Sequence, residues 1–330
     1  MLYEAIVQHR PIPGTDLALP QLSLGGWLTF GGSVAEVEAL RILHAAVDAG
    51  IDHLDLADVY SRGAAEQVVG RFLREVPHRK LVVASKVFWP MSDDPADRGL
   101  SRRHIHESID RSLRRLGRDQ LELYYCHRED PSVPLAETVQ AMGDLVRAGK
   151  VRAWGTSCWR PATLRAAHQL AAQLGVAPPR VEQPRYNLFE RSIERDVVPA
   201  CRELGMALVV WSPLAGGVLT GKYLDGRPAG SRGATSKWVD EYLTPERLAA
   251  MRSFAAMCAA RGVSPGAVAL AWAMQQPGIT SAIVGASTAA QLQDSLAAIA
   301  VALDPEFAAQ IERLFPGPRR SWLGRLLGRG

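Results

Sequence analysis

Three successive apolar runs each end in polar side chains that packing alone would not require. Asp55 and Tyr60 close "GIDHLDLADVY" (Gly50 to Tyr60), Lys86 stands in "VVASKVFW", and His127 in "LYYCHRED". A buried carboxylate without a partner is costly, so Asp55 needs a counter-charge, and Lys86 is the candidate. Lys86 would in turn favour the phenolate of Tyr60, lowering a pKa that starts at about 10. A neutral His127 could hold a carbonyl oxygen by hydrogen bond. Together the four make a proton-transfer device suited to carbonyl chemistry. Taken singly, a lysine or histidine at a strand end is usually a satisfied surface group; complementary types on three consecutive strand ends carry the case. Of the two other aspartates in the run, Asp52 sits at the strand's start and reads as structural. Asp58 lies beyond its end and reads as a loop or capping residue.

The elements that must position these groups follow from hydrophobic periodicity. Strand candidates begin at Gln21, Asp52, Lys80, Gln120, Val151, Arg180, Met206 and Ser281. Helical spacing marks 34–47, 64–75, 101–116, 134–147, 161–174, 192–204 and 288–300, with a further pair at 245–261 and 264–276 before the last strand. Ser101 and Ser264 suit N-caps, Pro134 and Pro161 first-turn positions, and the glycines of "DAG", "RAGK" and "ELGM" left-handed C-caps. Eight strand-then-helix units argue for a parallel sheet closed into a (β/α)8 TIM barrel. A doubly wound sheet would want Gly-x-Gly-x-x-Gly after its first strand, and "LGGWLTFGG" lacks that spacing. The turn signal "IPGTD" marks an N-terminal hairpin outside the barrel count. A long irregular loop, 215–238, follows strand seven and would rise from the C-terminal face, where barrel active sites lie.

Composition bounds the rest. The 330 residues are 47% hydrophobic and 22% charged, as in a soluble globular protein. A formal charge of +4, from 38 basic and 34 acidic residues that are interspersed, is not a nucleic-acid footprint. One barrel domain is expected over 1–317, followed by a basic tail, 318–330, that reads as a frayed or docked terminus or, alternatively, as a contact with an anionic membrane surface. Four scattered cysteines and no metal-type cluster suggest reduced thiols and no metal. No apolar stretch reaches transmembrane length and no export signal is read, so a cytoplasmic location is expected.

The motifs "DLADVYSRGAAEQVVGRFL", "SKVFW", "RSLRRLGRDQLELYYCHRED", "GKVRAWGTSCW", "VEQPRYNLFER", "WSPLAGGVLTGKY" and "VGASTAAQLQDS", in order over nearly the whole chain, resemble the aldo-keto reductase superfamily. "KVFW", "RGLSRRHI" and "WSPLAGGVLTGKY" look most like the branch of potassium-channel β subunits and related bacterial aldehyde reductases. The resemblance implies a catalytic tetrad at Asp55, Tyr60, Lys86 and His127. It also implies NADPH bound in extended form, with Ser157 and Gln183 on the carboxamide and Trp211 against the nicotinamide ring. Ser212, Leu214, Gly217 and Lys222 match the pyrophosphate segment; Gly285, Ser287, Gln291, Asp294 and Ser295 match the adenosine end; Gly26 and Trp27 line the nicotinamide and substrate side. Trp27, Trp89 and the long loop would build the substrate pocket, and Arg128 would meet an anionic substrate or pair with Glu129 or Asp130.

Two departures from the family pattern matter. Gln291 stands where many members carry an arginine for the 2′-phosphate, and Ser295 where relatives have asparagine; Arg232 of the long loop could supply the missing charge. Channel β subunits generally have asparagine at the His127 position, so the complete tetrad here points to a working enzyme. The expected activity is NADPH-dependent reduction of small aldehydes or ketones. The alternatives are a slow NADP(H)-binding redox-sensing subunit and, less consistent with Tyr60 and Asp55, an aldolase using Lys86 as a Schiff base. A homo-oligomer is compatible with the branch.

Overall fold

The computed structural model describes residues 7–318, so most of the expected tail, from 319 onward, lies outside the described residues. A short hairpin comes first, β1 (His9–Pro11) paired antiparallel with β2 (Ala18–Pro20). Eight parallel strands follow: β3 (Leu22–Gly25), β4 (His53–Asp55), β5 (Val82–Val87), β6 (Leu121–Cys126), β7 (Val151–Thr156), β8 (Val181–Glu182), β9 (Ala207–Trp211) and β10 (Ile279–Val284). They pair in sequence order, and β10 returns to β3, closing the barrel. All eight expected strands form.

Helices cover the outside: α1 (Glu36–Asp48), α2 (Ala64–Glu75), α3 (Arg102–Leu116), α4 (Leu135–Arg147), α5 (Pro161–Leu174) and α6 (Val197–Leu204). After the one-turn α7 (Arg232–Thr235) come α8 (Pro245–Ala259), α9 (Pro265–Gln275), α10 (Ala289–Ala297) and α11 (Pro305–Leu314). Ser101 and Ser264 cap α3 and α9 by accepting from His104 N and Ala267 N. Three expectations are corrected. The stretch 192–204 is not one helix: a turn at Ser192–Glu194 is separated from α6 because Asp196 turns back to cap Val197 N. Pro134 is the N-cap of α4, not its first residue. The loop 215–238 is not wholly irregular, since it holds a 3-10 segment at Ala215–Thr220 as well as α7.

Two apolar layers result. Between barrel and helices lies the larger core, including Leu54, Val83, Ile109, Tyr124 and Trp154. Inside the barrel, Val82, Ala84, Leu123, Tyr125, Ala153 and Val209 pack against Ile12, Leu17 and Leu19 of the hairpin segment. The hairpin therefore plugs the N-terminal end. Only the C-terminal end is left to open into a site.

Candidate active site

The pleat of β5 decides where Lys86 points. Side chains alternate along a strand, so Val82, Ala84 and Lys86 share the inner face while Val83, Ser85 and Val87 face the helices. Asp55 ends β4 beside it, with Asp55 and Ala84 as partners in the ladder. Lys86 is wholly buried. Its Nζ donates to Asp55 Oδ2 at 2.7 Å, to Leu56 O at 2.6 Å and to the Tyr60 hydroxyl at 3.1 Å. All three ammonium hydrogens thus have acceptors. Asp55 Oδ1 accepts from Gln183 Nε2 at 2.8 Å.

Electrostatics follow from that geometry. Burial alone would push the Lys86 pKa down, but the charge and hydrogen bonds of Asp55 and Tyr60 outweigh it and hold the ammonium above its ordinary value. For Tyr60 the sequence expectation is corrected: its pKa is raised, because burial and the Asp55 charge exceed the lowering by Lys86. The phenol therefore stays protonated across neutral pH. His127 stands the other way, held well below its ordinary value by burial and then by Lys86 and Arg128, so the imidazole is neutral. Its ring centroid lies 6.0 Å from that of Tyr60, and its Nδ1 is buried without a partner among the described residues.

The tetrad opens onto a cavity of about 950 Å³ on the C-terminal face. The ends of seven barrel strands line it, through Gly25, Asp55, His127, Ser157, Gln183, Trp211 and Gly285, while Lys86 of β5 sits behind the wall and touches it only through the Tyr60 hydroxyl. Most residues singled out in the sequence line it: Trp27, Tyr60, Trp89, Arg128, Ser212, Leu214, Gly217, Lys222, Arg232, Ser287, Gln291, Asp294 and Ser295. Gly26 does not; its amide is spent on Asp55 O at 2.9 Å and the lining position belongs to Gly25. Asp58 lies in the turn just past β4, as expected of a loop residue, but it is fully buried: it accepts from Val59 N at 2.6 Å and Ser108 Oγ at 2.8 Å, and burial raises its pKa to about 7. Asp52 pairs with His9 of the hairpin at 2.9 Å, in keeping with a structural role.

The cavity is long, and its lining changes along its length. Near the tetrad, Ser157 Oγ donates to Gln183 O at 2.9 Å and accepts from Arg128 Nη1 at 3.3 Å, which leaves one lone pair to accept from a ligand. Beyond Trp211 the backbone takes positive φ at Ser212, Ala215, Gly216 and Gly217, which turns the chain along the cavity wall. A Cβ on Gly217 would meet Lys222 Nζ at 2.7 Å, so only glycine lets that ammonium approach the backbone. Ser212 Oγ and Ser231 Oγ are buried without partners among the described residues, and both residues line the cavity. At the far end is the N-terminus of α10, capped by Thr288, where Gln291 Oε1 accepts from Ser287 N and Ser295 Oγ donates to Gln291 O. Arg232, buried enough to lower its pKa, lies over both Trp27 and Trp238, at 5.1 and 5.5 Å from the ring centroids, and the two rings meet edge to face. Trp238 itself was missed, as were Thr29 and Ser231; the only sequence signal for Trp238 was an aromatic at the end of the long loop.

The comparisons with known proteins agree with this geometry. A family model described as "Aldo/keto reductase family" matches residues 21–315. A probable voltage-gated potassium channel subunit beta from Oryza sativa subsp. japonica is 37% identical over 325 residues, covering 96% of this chain and 99% of the relative. One from Arabidopsis thaliana is 36% identical, covering 95% and 98%. A putative one from Schizosaccharomyces pombe is 36% identical, covering 93% of each chain.

Proposed function

The chain belongs to the aldo/keto reductase family, and from that premise we propose that it is an NADPH-dependent reductase of small aldehydes or ketones. The observation that carries this reading is Lys86 Nζ bridging Asp55 Oδ2 and the Tyr60 hydroxyl at the rim of a long cavity. Tyr60, kept protonated, gives its proton to the carbonyl oxygen. The neutral imidazole of His127 donates a hydrogen bond to the same oxygen and orients it. Lys86, held as an ammonium, stabilises the phenolate left behind, and Asp55 fixes Lys86. The carbonyl group gains one hydride and one proton and becomes an alcohol. When bound, the nicotinamide cofactor supplies that hydride and is left oxidised.

The orphaned hydroxyls of Ser212 and Ser231, the Gly217 wall and the helix N-terminus at Thr288 fit a dinucleotide. Ser157 and Gln183 would hold the carboxamide: Gln183 Nε2 is engaged by Asp55, which leaves its Oε1 to accept. Trp211 would lie beside the ring, with Gly25 and Trp27 near that end. Ser212, Leu214, Gly217 and Lys222 would meet the pyrophosphate, and Gly285, Ser287, Gln291, Asp294 and Ser295 the adenosine end. NADPH over NADH is supported by Lys222 and Arg232, cations that line the cavity without a carboxylate partner among the described residues. No described helix is long and apolar enough to cross a membrane, and a cytoplasmic site of action belongs to the proposal.

A second reading, a slow NADP(H)-binding regulatory subunit, is favoured by the printed names of the three relatives. Oxidation of NADPH and of NADH by the wild-type protein with a panel of small aldehydes decides between them. Brisk turnover with NADPH supports the reductase. Tight binding of the cofactor without turnover supports the subunit.

A further inference from the structure

The reductase reading leaves open what holds the rest of the substrate. Arg128 directly follows His127, so it leaves β6 at the rim of the cavity and lines it. Its Nη1 donates to His127 O and, at 3.3 Å, to Ser157 Oγ, and its guanidinium lies 5.8 Å from the Trp89 ring centroid. Nε and Nη2 carry no hydrogen bond among the described residues. The neighbouring acids do not neutralise it, contrary to one expectation from the sequence. Glu129 is engaged by Arg160 through its backbone N and its guanidinium, and Asp130 by Leu100 N, Ser132 N and Ser132 Oγ.

Position relative to the chemistry is fixed by a circuit of rings. Tyr60 and His127 centroids are 6.0 Å apart, His127 and Trp89 6.2 Å, and Trp89 lies under the guanidinium. The charge of Arg128 accordingly reaches both Tyr60 and His127: it adds to the lowering of His127 and opposes, without reversing, the raising of Tyr60. A half-buried cation with two free donors, locked in place and facing the reacting end of a cavity, is a ready fork for a carboxylate or phosphate. The cavity's other free cations, Lys222 and Arg232, rise from the long loop after β9.

We propose that Arg128 selects carbonyl substrates bearing a carboxylate or phosphate a few bonds from the carbonyl, the anionic group accepting from Nε and Nη2 while the carbonyl oxygen meets Tyr60 and His127. This inference rests on the reductase reading and deepens it. Arginine, with a planar pair of donors, suits such an anion better than lysine would.

The test compares 4-formylbenzoate and 4-formylphenyl phosphate with the neutral methyl 4-formylbenzoate, read as the ratio of kcat/KM for anion over ester. In the wild type the ratio is expected to be about tenfold or more for at least one anion, and whichever anion leads identifies the group. In Arg128→Met the ratio falls toward one, in Arg128→Lys it is intermediate, and added salt raises the wild-type KM for the anion more than for the ester. A ratio is insensitive to a shared loss from misfolding. Equal ratios in wild type and Arg128→Met overturn the inference, as does wild-type turnover of the ester with no preference for either anion, and both leave the reductase standing. Turnover of none of the three overturns the reductase reading and this inference with it.

Discussion

A buried ion pair lies against each face of strand β5, and the two serve different ends. Inward, Lys86 meets Asp55; both side chains are nearly sealed from solvent. Outward, the adjacent Ser85 donates to Glu66 Oε1 at 2.6 Å, and Glu66 Oε2 accepts from Arg115 Nε at 2.5 Å. Glu66 is as buried as Lys86. The inner pair ends in the Tyr60 hydroxyl at a cavity, whereas the outer pair ties α2 and α3 to the barrel. Burial and opposite charge are common to both, so neither marks a site. The hydroxyl presented to open space does.

Removing the cation from each pair should separate the two roles. Lys86→Met leaves Asp55 buried without its counter-charge and Tyr60 without the group that stabilises its phenolate. The rate constant for carbonyl reduction is expected to fall by roughly 10²–10⁴-fold, with a stability loss of about 3–5 kcal/mol in urea denaturation. Arg115→Met leaves Glu66 uncompensated and is expected to cost a similar ~3–5 kcal/mol in the same denaturation series. Its kcat per folded molecule should stay on the wild-type scale. If Arg115→Met abolished turnover in folded protein, the outer pair would belong to the catalytic machinery and the contrast would fail.

Smaller effects come from pH. With Tyr60 raised above its ordinary value and His127 held below its own, both groups that the proposed reduction uses keep one protonation state through the neutral range. A pH profile of kcat/KM for reduction should therefore be flat from about 7 to 9, near the unperturbed histidine and tyrosine limits. The outer network does titrate. Asp58, whose side chain accepts from Ser108 of α3, has a folded pKa of about 7 against an ordinary 3.8. A raised folded pKa means that its contribution is complete below the unfolded value and is lost as pH rises through 7. Asp58→Asn cannot ionise, so between about pH 6 and 8 its Tm should drift down by a few degrees less than that of the wild type.

Much of this was readable in the residues, and the failures have physical causes. The eight barrel strands were legible because short apolar runs bounded by turn residues have few other uses. Helix α5 matched to the residue because Pro161 and Gly175 punctuate it. The grouping of Asp55, Tyr60, Lys86 and His127 was legible because a polar residue at a strand end stands out against apolar neighbours. The burial of Asp58 was not, since its partner Ser108 is 50 residues away. Nor was the direction of the Tyr60 shift: the sequence supplies the neighbouring lysine but not the burial that outweighs it. Helix α11 went unread although Asp304 and Pro305 form an ordinary start signal, with Asp304 accepting from Phe307 N.

The central claim is that Tyr60 delivers the proton under the control of Lys86 and Asp55. Its most direct test is Tyr60→Phe beside the wild type, with NADPH binding measured by fluorescence titration and aldehyde-dependent NADPH oxidation by absorbance. The account predicts unchanged cofactor affinity and a loss of turnover of roughly 10²-fold or more. A variant that keeps the wild-type rate would contradict it.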